Sequence, residues 1–99
     1  MRRGTTPIHR FTLPVKTEEI SKIRVLYAQN GKLILTKQDE VTYESGRAVV
    51  TLTQEDTLLF KSGTMAEIQL RIITTDGDVL ASNVLTVRVK RLLEDEVFM

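Results

Sequence analysis

Residues 65–91 read MAEIQLRIITTDGDVLASNVLTVRVKR. Two apolar, β-branched runs flank Asp76-Gly77, the residue pair that supplies both positive-φ positions of a type I′ turn. The stretch predicts a long β-hairpin, and the rest of the chain reads as shorter strands packed around it. With Asp76 and Gly77 as the loop, Ile72 faces Ala81, Leu70 faces Asn83, Ile68 faces Leu85 and Ala66 faces Val87. That face is apolar except for Asn83, which is expected to reach a backbone group or sit at the sheet margin. The other face pairs Arg71 with Ser82, Glu67 with Thr86 and Met65 with Arg88. Side chains alternate along a strand, so one register accounts for both patterns and no bulge is required. Ile73, Leu80 and Val84 fall on the polar face near the turn. Scattered surface apolars are one reading of them; a contact patch for another chain is the second.

Two further hairpins follow the same logic. Lys22–Lys37 turns at Asn30-Gly31, a second type I′ signal. It pairs Tyr27 with Ile34, Val25 with Thr36 and Leu26 with Leu35. Ile23, Val25, Tyr27 and Ile34 make one apolar face; Leu26, Ala28, Leu33 and Leu35 make the opposite face apolar as well. Either this hairpin is covered on both sides or one side meets a partner; antiparallel sheets usually keep one face polar, which favours the partner. Val41–Thr53 turns at Ser45-Gly46, with Glu44 facing Arg47, and Val41, Tyr43, Ala48, Val50 and Leu52 on the buried side. Pro7 and Pro14 bracket Ile8–Leu13, an edge strand with Phe11 and Leu13 buried. Residues 17–21 read as a turn or a single helical turn. Thr53 caps a short helical segment with Asp56 three residues on, and this segment plugs an open end.

The 99 residues contain no Cys and carry a formal net charge of +1. One domain is expected over 1–99, with residues 1–7 and 92–99 as flexible ends. A chain of this size buries roughly 60–70% of its unfolded surface. Neither a disulfide nor a thiolate zinc site is available. No apolar run approaches the roughly 20 residues that span a bilayer. No apolar stretch follows Arg2 and Arg3, so no signal peptide and no membrane association is expected. Interleaved charges and few aromatics lack the basic stripe and stacking platform of a nucleic-acid binder. Charge does separate at the ends, with Arg2, Arg3 and Arg10 at one and Glu94, Asp95 and Glu96 at the other. The expected fold is an all-β antiparallel β-sandwich, immunoglobulin-like, with six to seven strands and one short helical turn. A closed barrel is the alternative.

No catalytic, metal or cofactor constellation can be assembled from the motifs. His9 is the only histidine and is expected as an edge residue. No G-x-S-x-G elbow surrounds any serine. Asp76-Gly77-Asp78 lacks the spaced acids and terminal Glu of a calcium loop. Asp39-Glu40 and Glu55-Asp56 are sequence neighbours in turns, read as solvated charges. The chain is therefore expected not to be an enzyme and to need no cofactor.

Four stretches carry a resemblance: RRGTTPIHRFTLP, VLYAQNGKLILTK, TLTQEDTLLF and LRIITTDGDVLASNVLTVRV. The resemblance covers nearly all residues from Arg2 to Val97. The chain resembles small all-β prophage proteins of Gram-positive gut bacteria that are grouped with virion structural genes. The resemblance implies a tail- or baseplate-type role, in a virion or in the host cytoplasm, with no active site to carry over. The implied partners are other virion proteins or copies of this chain in a homo-oligomer. The candidate contact residues are Leu26, Leu33, Leu35, Ile73, Leu80 and Val84. A carbohydrate or cell-surface binding module and a small regulatory module acting through a sheet edge are the competing functions.

Overall fold

The computed structural model describes residues 1–99. Eight strands form: β1 (Ile8–Thr12), β2 (Ile20–Gln29), β3 (Lys32–Lys37), β4 (Thr42–Glu44), β5 (Arg47–Thr51), β6 (Met65–Thr74), β7 (Val79–Ala81) and β8 (Leu85–Arg88). One short helix, α1 (Gln54–Leu58), lies between β5 and β6, and a 3-10 turn covers Thr17–Glu19. The molecule is an all-β sandwich of two antiparallel sheets. The smaller has the order β1-β5-β4; the larger has the order β3-β2-β6-β7, with β8 also pairing β6. Because β7 and β8 lie in succession along β6, they act as one interrupted strand, which reconciles eight strands with the expected six to seven.

The sheet order departs from the immunoglobulin arrangement. In that fold the second strand joins the first and fifth, and the third pairs with the sixth. Here β2 sits between β3 and β6 in the larger sheet, and β1 pairs directly with β5. The local cause is the Asn30-Gly31 turn, which closes β2 and β3 into a hairpin and holds them in one sheet.

Alternation builds the core. Ile23, Val25 and Tyr27 from β2 and Ala66, Ile68, Leu70 and Ile72 from β6 face inward, against Phe11, Ala48, Val50 and Leu52 of the small-sheet side. Burying side chains of this kind stabilises by about 1.5–3 kcal/mol each. Phe60, just past α1, is buried and meets Tyr27 edge-on at 6.1 Å between ring centroids. Thr53 and Asp56 form a full capping box at the start of α1.

Two of the three turns are the expected ones. Asn30-Gly31 and Ser45-Gly46 have positive φ at both positions, 55° and 75° in the first, 48° and 77° in the second. The third differs. Only Gly77 has positive φ (88°), and Thr74 donates its backbone N–H to Asp78 O at 2.9 Å. The loop is therefore three residues, Thr75-Asp76-Gly77, rather than Asp76-Gly77 alone. Thr74 drives this: its hydroxyl is turned inward and accepts from the Asp78 N–H at 3.0 Å. The expected register consequently fails next to the turn, where Ile72 faces Leu80. It holds beyond Asn83, where Ile68 faces Leu85 and Ala66 faces Val87.

Bulges reconcile these registers, contrary to the bulge-free reading. In the central hairpin the extra residue falls between Ala81 and Leu85. Ser82 repairs the ladder there. Its N–H donates to Leu70 O, its hydroxyl accepts from the Leu70 N–H at 3.0 Å, and its carbonyl accepts from the Gln69 amide. Asn83 lies exposed at that margin. A second bulge leaves Ile34 unpaired, because Tyr27 faces Leu35 while Ala28 faces Leu33. The expected pairs of Tyr27 with Ile34 and Leu26 with Leu35 are thereby replaced.

Both chain ends lie against the body. Residues 1–7, expected as a flexible or edge-lying lead-in, lie at an edge and bond along residues 88–91. The Met1 ammonium donates to Arg88 O, Lys90 N–H to Met1 O, and Arg3 N–H to Lys90 O. The Arg3 guanidinium spans the carbonyls of Phe60 and Leu58 and reaches Asp95 at 2.6 Å. Residues 92–99 form no regular structure, yet the Gln54 side chain brackets the backbone of Phe98 through both its N–H and its carbonyl. The basic head and acidic tail thus meet within one chain.

Candidate protein-contact surface

The outer face of the larger sheet carries no second layer. Its residues are the ones that alternation sends outward: Lys22, Arg24, Leu26 and Ala28 from β2, and Met65, Glu67, Gln69, Arg71 and Ile73 from β6. All are exposed or half-buried. The face divides into two parts. At one, Leu26, Ala28, Leu33 and Val84 line a concavity of about 300 Å³ bordered by Glu67 and Gln69. Leu33 is 56% exposed and Val84 49%. At the other, Ile73 faces Val79 across the ladder beside Lys22, Arg24 and Arg71, around a concavity of about 150 Å³.

Of the six candidate contact residues, the structure brings Leu26, Leu33 and Val84 together. Ile73 is exposed but lies at the far part of the face. Leu35 and Leu80 leave the face altogether. The Ile34 bulge turns Leu35 inward beside Tyr27, and the three-residue loop turns Leu80 inward beside Ile72. Both pack partly buried against the core. Residues missed from the sequence are Val79, which replaces Leu80 as the neighbour of Ile73, and the cations around it. The signals were present: the unbroken run Leu33-Ile34-Leu35 and the polar Asn83 on an apolar face both mark places where alternation fails.

A third concavity, about 400 Å³, opens at the side of the sandwich between β1 and the interrupted edge strand. Phe11, Leu70, Ile72, Leu80 and Leu85 form its apolar wall, and Arg10 and Asn83 its polar margin.

Four of the perturbed titratable groups, Lys37, Asp56, His9 and Tyr27, are wholly or partly buried and serve packing. The bulge that turns Leu35 inward also turns Lys37 inward, where its ammonium meets Asp56 at 2.9 Å and Glu40 at 3.4 Å. Asp56 is thus no solvated turn charge: it ties β3 to the α1 cap. Burial raises its carboxyl, but hydrogen bonds from Lys37 and Thr53 outweigh that and hold it below the usual range. The same bond lifts the Lys37 ammonium above its usual range, against the cost of burial. His9, on edge strand β1 as expected, is half-buried, with Nδ1 at 2.8 Å from the Tyr27 hydroxyl. Burial, with the Met1 ammonium adding to it, lowers the imidazole. Burial raises the phenol, and the Asp56 charge adds to that. The phenol therefore stays protonated, and it shares with His9 Nδ1 one hydrogen bond whose donor follows the imidazole tautomer.

Comparison with protein-family models, with curated proteins and with solved structures finds no match to this chain. No helix is long and apolar enough to cross a membrane.

Proposed function

We propose that the chain is a non-enzymatic structural or adaptor protein that acts by protein–protein contact, in a virion assembly of the tail or baseplate kind. It would reside in the virion, or in the host cytoplasm before assembly. The supporting observation is the uncovered sheet face at Leu26, Leu33 and Val84. Two of these side chains are about half exposed on a rigid, hydrogen-bonded sheet, where apolar surface has no folding role. Exposed apolar side chains that cluster on one face are candidates for a partner's cover, whereas singly scattered ones are ordinary surface. The virion setting comes from the resemblance of the four stretches quoted above. A carbohydrate module would need an aromatic platform, and of the two tyrosines only Tyr43 exposes its ring appreciably.

The test is the double substitution Leu33→Asp with Val84→Asp. Both positions are half exposed, so folding should survive, as circular dichroism would report. The reading expects the wild-type chain to co-purify with itself or with structural proteins of the same virion, and the double variant to lose that contact. Retention of every contact by a folded double variant would contradict it.

A further inference from the structure

The far part of the outer face has a feature that folding does not explain. Arg24 and Arg71 stand directly opposite each other in the β2–β6 ladder. Like charges in that relation are destabilising. Lys22 is two residues along the same face. The cross-strand partners of the three are Ile73 for Lys22, Arg71 for Arg24 on one side and Ala81 for Arg71 on the other, so no acid stands opposite any of them. The ion pairs of the molecule involve Arg3, Arg10, Lys37 and Arg47 instead. The Arg24 guanidinium is held by the Gln38 amide oxygen at 2.9 Å, a neutral partner that orients the charge without cancelling it. Ile73 and Val79, 38% and 59% exposed, supply apolar surface beside the cations.

The complement of this surface is present in the same chain. Residues 93–98 read LEDEVF. Asp95 is taken by Arg3, and the Phe98 backbone by Gln54. Those anchors leave Glu94 and Glu96 exposed and outside any ion pair, flanked by Leu93 and Phe98, which are 89% and 79% exposed. Two acids between two apolars thus match cations beside two apolars. One copy cannot join them. The cation site lies at the Ile73 end of β6, whereas the tail follows β8, which ends opposite Met65 at the other end. A ten-residue strand separates these ends by about 30 Å.

We propose that Lys22, Arg24 and Arg71, with Ile73 and Val79, are the docking site for segment 93–98 of a second copy of this chain. The contact joins two different surfaces, so it is head-to-tail and propagates into a ring or a tube. This names the partner at one part of the assembly face and rests on the protein-contact reading above.

Charge reversal from both sides tests it, read as solution mass by light scattering behind size exclusion at low salt. One variant is R24E/R71E; the other is E94K/E96K, which spares Asp95 and its bond to Arg3. The wild-type chain is expected at two or more times its monomer mass. Each variant alone is expected to fall to monomer, and an equimolar mixture to recover the assembled mass. A monomeric wild type, or an unchanged mass in either folded variant, overturns the inference. So does loss of assembly in both variants without recovery on mixing. If L33D/V84D still abolishes a contact in those cases, the protein-contact reading survives while the tail is excluded as occupant.

Discussion

At the residue scale, the Lys37–Asp56 pair governs how stability depends on pH. Asp56 is depressed in the folded chain, so its contribution is complete above the usual carboxylate value, about 4, and is lost as pH falls through the lowered value. Lys37 is raised, so its contribution is complete below the usual lysine value, about 10.4, and is lost as pH rises through the raised value. The pair therefore supports a plateau between those limits with a fall on each side. Asp56→Asn should cost about 3 kcal/mol at neutral pH, the lower end for removing one member of a buried pair, since both side chains keep some exposure. It should also flatten the acid fall. Urea midpoints measured across the pH range would show both effects, and an unchanged acid limb would count against the assignment. Lys37 was invisible to a reading by alternation, because its inward turn depends on an extra residue three positions earlier.

At the element scale, what could be read depended on whether a signal was local. The Asn30-Gly31 and Ser45-Gly46 turns, the edge strand between Pro7 and Pro14 and the Thr53–Asp56 cap are each decided within a few residues, and each is present as expected. The bulges and the sheet order are decided between elements. Asp-Gly permits a two-residue loop, but the hydrogen bond from Asp78 N–H to the buried Thr74 hydroxyl selects a three-residue one. That single shift moved Leu80 from the expected contact patch into the core margin and put Val79 in its place. The two loops are separable by mutation. Gly77 alone needs positive φ, so Gly77→Ala should cost about 1–2 kcal/mol. Asp76→Ala should be nearly neutral, whereas a type I′ turn would penalise it comparably. Thermal midpoints of the two variants decide between them.

At the scale of the whole molecule, the chain is elongated, 46 × 29 × 17 Å, with the larger sheet uncovered on one side. The all-β class and the single sandwich followed from strand count and turn spacing. The place of the β2–β3 hairpin did not: Asn30-Gly31 pairs its two strands, but nothing local says that β6 lies on the other side of β2. Three of the six candidate contact residues, Leu26, Leu33 and Val84, line one concavity, and the cation cluster lies beyond it on the same face. The opposite charges of the two ends meet within one copy, where Arg3 spends its charge on Asp95 of its own chain. The cations left for a neighbour are those on the sheet.

The most direct measurement is the solution mass of the unmodified chain, taken at low and at high ionic strength. The screening length shrinks from about 10 Å at 0.1 M salt to about 3 Å at 1 M. Assembly through the outer face, completed by cations and an acidic tail, predicts a defined oligomer at low salt that dissociates at high salt. A monomer of 11.3 kDa under both conditions would contradict self-assembly through that face.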